Sequence, residues 1–317
     1  MKHTQRGIAL ITAMLVTALA AIAATAVLVS ANNGIRRAST LIDGERAWWY
    51  AQGLESWTRR ILARDLEKNG AIDSLDEDWA QPLDYLPVEQ GAVRGKIIDL
   101  TGRFNLNNLA STQTAKYQKQ LLRLFQNIKG LDPATAQPLA AAIIDWIDAD
   151  QIPSGAGGAE NTDYQSLPLP YRAANQPMAS PTELLAIKGM TPQIYQRIAP
   201  FVCTLPLTGG KVATKINVNT APQEVLLSLS ATVDRGKIDS FIIKRLKEPA
   251  KTVQELQQPP DNTLPADVTP DMVDVRSQFF LMTAEALIGS GRAALYSVIQ
   301  RAGGSAPQVI ARSLDTE

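Results

Sequence analysis

The chain has 317 residues, with Lys plus Arg and Asp plus Glu balanced at 31 each, so no net charge draws it as a whole to nucleic acid. One cysteine, Cys203, excludes an intrachain disulfide framework. The one histidine, His3, leaves all later segments without a His-ligated zinc site or a Ser-His-Asp triad. The length is enough for two domains and a real core.

Ile8 to Ser30 carries no charged side chain. At about 1.5 Å per residue its roughly 23 residues reach about 34 Å, enough to cross a bilayer core. Lys2 and Arg6 precede the run, and Arg36 and Arg37 follow it, so the local charge rule does not orient it. A very short leader and a long globular tail place the N-terminus inside and the rest outside. A cleaved secretory signal is the other reading, because ALAAIAATA offers small-residue cleavage sites. Against it, the apolar run continues through Val27, Leu28 and Val29, and helix signals persist beyond Ser30.

Tyr50, Leu54, Trp57 and Ile61 fall on one helical face, and Asn69-Gly70 is a stop. One helix is therefore expected from the membrane into the soluble part, with Gly34 and Gly44 as soft points. Trp48, Trp49 and Trp57 read as core packing, with interface anchoring as the alternative.

Residues 71 to 91 are rich in Asp, Pro and Gln and read as loop, and Val93 to Leu100 as a strand. Phe104-Asn105-Leu106-Asn107 and Ile216-Asn217-Val218-Asn219 each precede a helix start. They are either an internal repeat or one turn chemistry used twice. At the second, Thr220 and Gln223 suggest an N-cap and capping box. Lys116 to Lys129 and Ala134 to Ile147 are predicted helices. So are Pro181 to Lys188 and Pro192 to Val202, joined by Gly189-Met190. That last pair resembles a helix-hairpin-helix, although its turn, Gly189-Met190-Thr191, lacks the second glycine. Only Lys188 and Arg197 supply nearby positive charge for a phosphate grip. A further helix is predicted over Ile238 to Leu246. Phe279 to Ile288 and Arg292 to Arg301 flank Gly289-Ser290-Gly291 as a hairpin. Residues 303 to 317 read as frayed.

The most chemical segment is acidic. Asp145 and Asp148 lie three apart at a helix end, and Asp150 follows. A glycine-rich stretch then leads to Glu160, Asn161 and Asp163. Crowded carboxylates repel unless solvated or neutralised, and oxygen-only ligands on a flexible loop suit calcium better than zinc or magnesium. The segment is not an EF-hand, because Pro153 stands where that loop needs glycine. A solvated polar loop is the other reading. Asp145 and Asp148 as a hydrolase pair is a weaker one, since nothing else marks a substrate site.

The basic leader ending in Gly7, followed by a hydrophobic helix, resembles the type IV pilin-like family. With the large helical insertion and the acidic loop, nearly the whole chain resembles the K-type minor pseudopilins of type II secretion systems. That resemblance implies an α+β fold: a long N-terminal helix and a small antiparallel sheet, with a large inserted α-helical domain. It divides the chain into a leader (1–7), a transmembrane part (8–30), a body (31–104 and 214–317) and an inserted helical domain (105–213). It implies cutting by a prepilin peptidase between Gly7 and Ile8, and methylation of the new amine on Ile8. Pilins usually carry a glutamate at the fifth mature position, where this chain has Thr12. A subunit with no neighbour ahead of it, at a filament tip, does not need that charge; alternatively Thr12 merely bonds its own helix. The resemblance further implies a structural calcium ion held among Asp145, Asp148, Asp150, Glu160, Asn161 and Asp163. The expected partners are the I and J subunits and then H, with the inner membrane, the periplasm and secreted proteins as surroundings. A DNA-binding role through the hairpin pair and a periplasmic hydrolase are the alternatives; on the preferred reading neither nucleic acid nor catalysis is expected.

Overall fold

The computed structural model of the protein describes residues 5–70, 72–302 and 306–314. Helix α1 (Gln5–Asn69) runs unbroken for 65 residues, about 98 Å, straight through Gly34 and Gly44. Every residue from Ile8 to Ile42 is exposed. Contact with the rest of the protein begins at Thr40, which accepts from Ser290 Oγ at 3.3 Å, and burial begins at Asp43 and follows Ala47, Ala51, Leu54, Thr58, Leu62 and Asp65. This stripe is rotated from the expected one. Leu54 is buried, but Trp57 and Trp49 are exposed, so the core reading fails for both. The reason is that polar side chains hold part of the seam. Asp43 accepts from Ser290 N at 3.0 Å, and Glu55 accepts from Ser297 Oγ at 2.6 Å and from Arg312 at 2.7 and 2.8 Å.

After α1 come β1 (Leu83–Val88) and β2 (Gly91–Asp99). The helical block follows: β3 (Phe104–Asn105), α2 (Thr114–Asn127), α3 (Pro133–Ile147), α4 (Asn161–Gln165), α5 (Pro192–Ile198) and β4 (Val202–Cys203). It continues with β5 (Ile216–Asn217), α6 (Gln223–Ser228), α7 (Arg235–Lys244) and β6 (Val273–Asp274). The chain then returns through β7 (Phe279–Ile288), β8 (Gly291–Gln300) and β9 (Gln308–Ser313). The main sheet is antiparallel, ordered β1-β2-β7-β8-β9. Two of its strands correct the sequence reading: β1 lies inside the expected loop 71–91, and β9 inside the segment read as frayed. Both are edge strands with little buried apolar alternation, and β1 carries Pro87, which an edge tolerates.

Helix α1 lies across β7 and β8, where Ala47, Ala51 and Leu62 join Met282, Ala284, Ala286 and Leu295 in one apolar cluster. The approach is closest at the β7–β8 turn. A Cβ on Gly289, whose φ is +52°, would come within 2.5 Å of the Asp43 carboxylate, and one on Gly291 within 2.3 Å of main chain at Asp43 and Gly44. At the opposite end of the strands, Arg301 donates to Leu62 O at 3.4 Å and to Asp65 at 2.9 Å. The strands thus run alongside α1, with the hairpin turn toward the exposed apolar stretch of the helix. The helical block leaves the sheet after Asp99 and rejoins it before Phe279, both at the far end.

A second apolar cluster fills that block. It begins at Phe104 and extends to Val275, and α6 and α7 bury Val225, Leu226, Ile238 and Phe241 in it with Leu121 and Phe125 of α2. Residues 216–275 therefore pack with the helical block, so the packing boundary lies beyond the expected 213/214 division. The two N-x-N segments occupy matching places in this block. β3 pairs in parallel with β4, and β5 with β6. Asn105 Oδ1 accepts from Asn107 N at 3.1 Å, and Asn217 Oδ1 from Asn219 N at 2.9 Å. Asn107 makes two bonds with the main chain of Met178 (2.9 and 2.7 Å), and Asn219 two with Ala250 (3.0 and 2.9 Å). One residue later, Ala179 N donates to Glu183 and Lys251 N to Glu255. Buried Leu184 and Leu256 come next. One side-chain bond recurring is turn chemistry; five matched features are a repeated unit. The units differ most in one connection: 148–177 after α3, against 245–249 after α7. The acidic loop fills the longer one. Thr220, expected as an N-cap, instead donates to Asp99 at 2.5 Å, and Pro222 stands at the cap.

Where sheet and block meet lies a buried polar joint. Asp99 accepts from Thr101 N at 2.7 Å and from the hydroxyls of Ser277 and Thr220 at 2.5 Å each. Arg301 bridges Asp65 and Asp73 and sits 4.8 Å over the Phe280 ring. Burial raises both: at Asp99 it outweighs the hydrogen bonds from Ser277, Thr220 and Thr101, and at Asp73, pushed up to about 6, it outweighs the Arg301 guanidinium.

Candidate functional site

Helix α3 starts at Pro133, capped by the Asp132 side chain accepting from Ala134 N at 3.1 Å, and delivers Asp145 and Asp148 at its end. Asp145 is fully buried. Its Oδ1 accepts from Ser154 N at 2.8 Å and its Oδ2 from Ala159 N at 2.7 Å, so it folds the glycine-rich loop back over the helix end. Gly158 lets the loop do this, since a Cβ there would lie 2.4 Å from Asp145 Oδ2. The fold-back brings Glu160 to Asp148 and Asp150, with carboxylate oxygens of all three within 4.8 Å of one another. Asp148 Oδ1 and both Glu160 carboxylate oxygens are buried without a hydrogen-bond partner. Burial, then the neighbouring carboxylates, push Asp148 up to about 6 and Glu160 up to about 7.

The six residues expected from the sequence thus divide. Asp148, Asp150 and Glu160 converge. Asp145 is spent on main-chain amides. Asn161 Oδ1 accepts from Ala173 N at 2.9 Å, and Asp163 accepts from Lys188 Nζ at 2.7 Å and Glu160 N at 3.1 Å. These three frame the site. Sequence reasoning missed Asn175. Its Oδ1 is also buried without a partner, its φ is +49°, and its N donates to Trp146 O at 2.9 Å, beside the cluster. Its only sequence signal is that asparagine tolerates the left-handed backbone. Orphaned buried carboxylate oxygens cost several kcal/mol unless protonated or bound to a cation. An all-oxygen set of this kind fits a calcium ion.

The hairpin pair is less regular than expected: 181–186 forms a 3-10 turn, and α5 is seven residues long. Both nearby cations are engaged, Lys188 with Asp163 and Arg197 Nη1 with Gly130 O at 2.8 Å. Gly189 has φ +84° with open space around it. Gly189→Ala is therefore expected to cost about 1–2 kcal/mol from backbone strain alone, read by denaturant unfolding.

At the other end of the molecule, Thr12 Oγ1 donates to Ile8 O at 3.1 Å and Ala9 O at 3.0 Å, within its own helix. Of the expected leader, residues 1–4 lie outside the described residues, and Gln5–Gly7 begin α1. The apolar N-terminal part of α1 is long enough to cross a membrane.

Residues 102–207 match the family described as Type II secretion system (T2SS), protein K. A Pectobacterium carotovorum protein named Type II secretion system protein K is 31% identical, covering 91% of this chain and 90% of its own. A Pseudomonas aeruginosa protein of the same name is also 31% identical, over 99% and 94%. The fold is similar to a chain in the crystal structure of the GspK-GspI-GspJ complex from the enterotoxigenic Escherichia coli type 2 secretion system. There the TM-score is 0.74 at 25% identity, covering 89% of this chain and 100% of that one.

Proposed function

The chain belongs to the type II secretion system protein K family, and we propose that it caps the pseudopilus tip as a non-enzymatic minor pseudopilin and helps start filament assembly. One observation carries this reading: the helical block leaves the sheet at the end level with Asp65, beyond the body and away from the exposed apolar stretch Ile8–Ile42. A subunit added in line above it would meet that block. The exposed stretch is then the surface that moves from the inner membrane into the filament. There it lies against the helices of partners equivalent to the I and J chains of the similar complex, with H following. The body and block lie in the periplasm, within reach of secreted proteins.

On this reading a prepilin peptidase cuts between Gly7 and Ile8, and the new amine is methylated. Thr12, satisfied inside its own helix, needs no partner ahead of it. Asp148, Asp150 and Glu160 hold a calcium ion that is structural, fixing the inserted loop. Mass analysis of the mature chain is expected to find methylated Ile8 at the N-terminus; a start near Ala26 would sink the pilin reading. Co-purification tests the tip role. The chain is expected to pull down the I and J subunits together, and capture of neither would sink the tip role.

A further inference from the structure

Helix α1 buries Ala47, Ala51, Leu54, Thr58 and Leu62 against the body. Two residues after each, about 200° round the helix, stand Trp49, Gly53, Ser56, Arg60 and Arg64, and all five are exposed. Toward the N-terminus the same face continues through Ile42 and Ile35, at steps of seven residues. That spacing keeps side chains on one seam between two helices.

Three features of this outer face find no reason in the chain itself. Trp49 is 67% exposed and Ile42 51%. They lie about 28 and 18 Å beyond Ser30, the end of the apolar run, too far out for lipid to cover them. Gly53 sits inside a helix, where glycine costs about 1 kcal/mol against alanine, and a Cβ there would meet nothing within 4 Å. Gly44, by contrast, meets the β7–β8 turn at Gly291. Arg60 and Arg64, one turn apart, make no hydrogen bond or ion pair among the described residues.

We propose that this face, from Ile35 to Arg64, seats the N-terminal helix of one partner subunit lying parallel to α1. The occupant is apolar opposite Ile35, Ile42 and Trp49, comes closest at Gly53, and carries an Asp or Glu level with Arg60 and Arg64. Glycine lets two helix backbones approach, an exposed tryptophan anchors an interface, and a seven-residue period wraps the pair left-handed. A second copy of this chain suits the seat badly, since in parallel it would set Arg60 and Arg64 against their own kind. The identity of the occupant rests on the I and J partners proposed above; the face rests on α1 alone.

The test uses the full chain, co-expressed in membranes with the I and J subunits, and quantifies capture of each. Gly53→Leu is expected to raise Tm, because leucine is the better helix former, and yet to lower capture of one subunit about tenfold or more. Ile42→Glu, and Arg60→Glu with Arg64→Glu, are expected to give a similar loss with Tm unchanged. Leu41→Glu, also exposed but about 100° round the helix, is expected to leave capture intact. A photocrosslinker at Trp49 is expected to join I or J. Capture untouched by Gly53→Leu and Ile42→Glu overturns the seat while the partner reading stands. An equal loss from Leu41→Glu also overturns it, in favour of an apolar collar without a preferred side. Capture of neither subunit by the unaltered chain removes the occupant, and crosslinking only to a second copy replaces it with self-association; both overturn the proposal.

Discussion

Arg301→Met is expected to destabilise the folded chain by about 3–5 kcal/mol, the usual cost of removing one partner from a buried charge network. Arg301 is 4% exposed and is held between Asp65 at 7% and Asp73 at 1%. Without it, two buried carboxylates lose the guanidinium that they share. The loss depends on pH in a stated direction. Asp73 already sits at about 6 against an ordinary 3.8, since burial outweighs Arg301. Removing the guanidinium raises it further. A carboxyl raised in the folded state favours folding while protonated, and that contribution is lost as pH rises from about 4 through the folded value. The variant is therefore expected to be hurt more at pH 8 than at pH 5. Denaturant unfolding at both values checks this, and an equal loss at both would falsify the charge account. Asp73→Asn in the same background is expected to recover part of the stability at pH 8. The same joint fastens three parts of the protein, the end of α1, the sheet and the helical block, so the variant is also expected to loosen the block's attachment.

Calcium is expected to raise Tm, with a free-energy gain of about 2.7 kcal/mol at a hundredfold excess over its Kd. The shift should grow with pH. Without an ion, Asp148 at about 6 and Glu160 at about 7 hold protons that the unfolded chain releases near 4. Ion-free stability at this loop is thus fully present below about pH 4 and is lost as pH rises through 6 to 7. Calcium replaces those protons, so the difference between calcium and EGTA widens from pH 5 to pH 8. The double variant Asp148→Asn with Glu160→Gln is expected to abolish the calcium shift and to make the ion-free protein more stable at pH 8. Substituting Asn161 or Asp163 should weaken the loop through its hydrogen bonds while leaving a calcium response. If calcium moves nothing in the unaltered chain, the site is a solvated acidic loop.

The parts of the fold legible in the sequence are those set by local rules. The apolar run from Ile8, the helix continuing to Asn69, and the β7–β8 hairpin follow from hydropathy, period and turn residues. Helix starts were legible where a side chain satisfies a free amide, as Ser180 and Thr191 do. Edge strands β1 and β9 were not, because an edge residue needs neither full apolar alternation nor freedom from proline. The buried face of α1 was misread because Asp43, Glu55 and Asp65 look like solvent residues until Ser290, Arg312 and Arg301 arrive from far along the chain.

The acidic site shows the same division. Composition alone determined that carboxylates crowd at the end of α3 and that their chemistry is oxygen-only. Which of them face one another is a tertiary matter. Asp145 is consumed by Ser154 and Ala159 amides, Asp163 by Lys188, and Asn161 by Ala173, and each partner is set by how the loop folds back. Asn175 enters only because its backbone is pinned to Trp146. The sequence by itself determined that a membrane-length helix leads into a body with an acidic insertion, because helix period, hydropathy and charge act over a few residues. Only the tertiary structure decided that the insertion sits in one copy of a repeated unit, that three carboxylates converge with three of their oxygens left without hydrogen-bond partners, and that the block lies beyond the far end of the sheet. Those facts depend on hydrogen bonds and burial between residues tens to hundreds of positions apart, which no local pattern encodes.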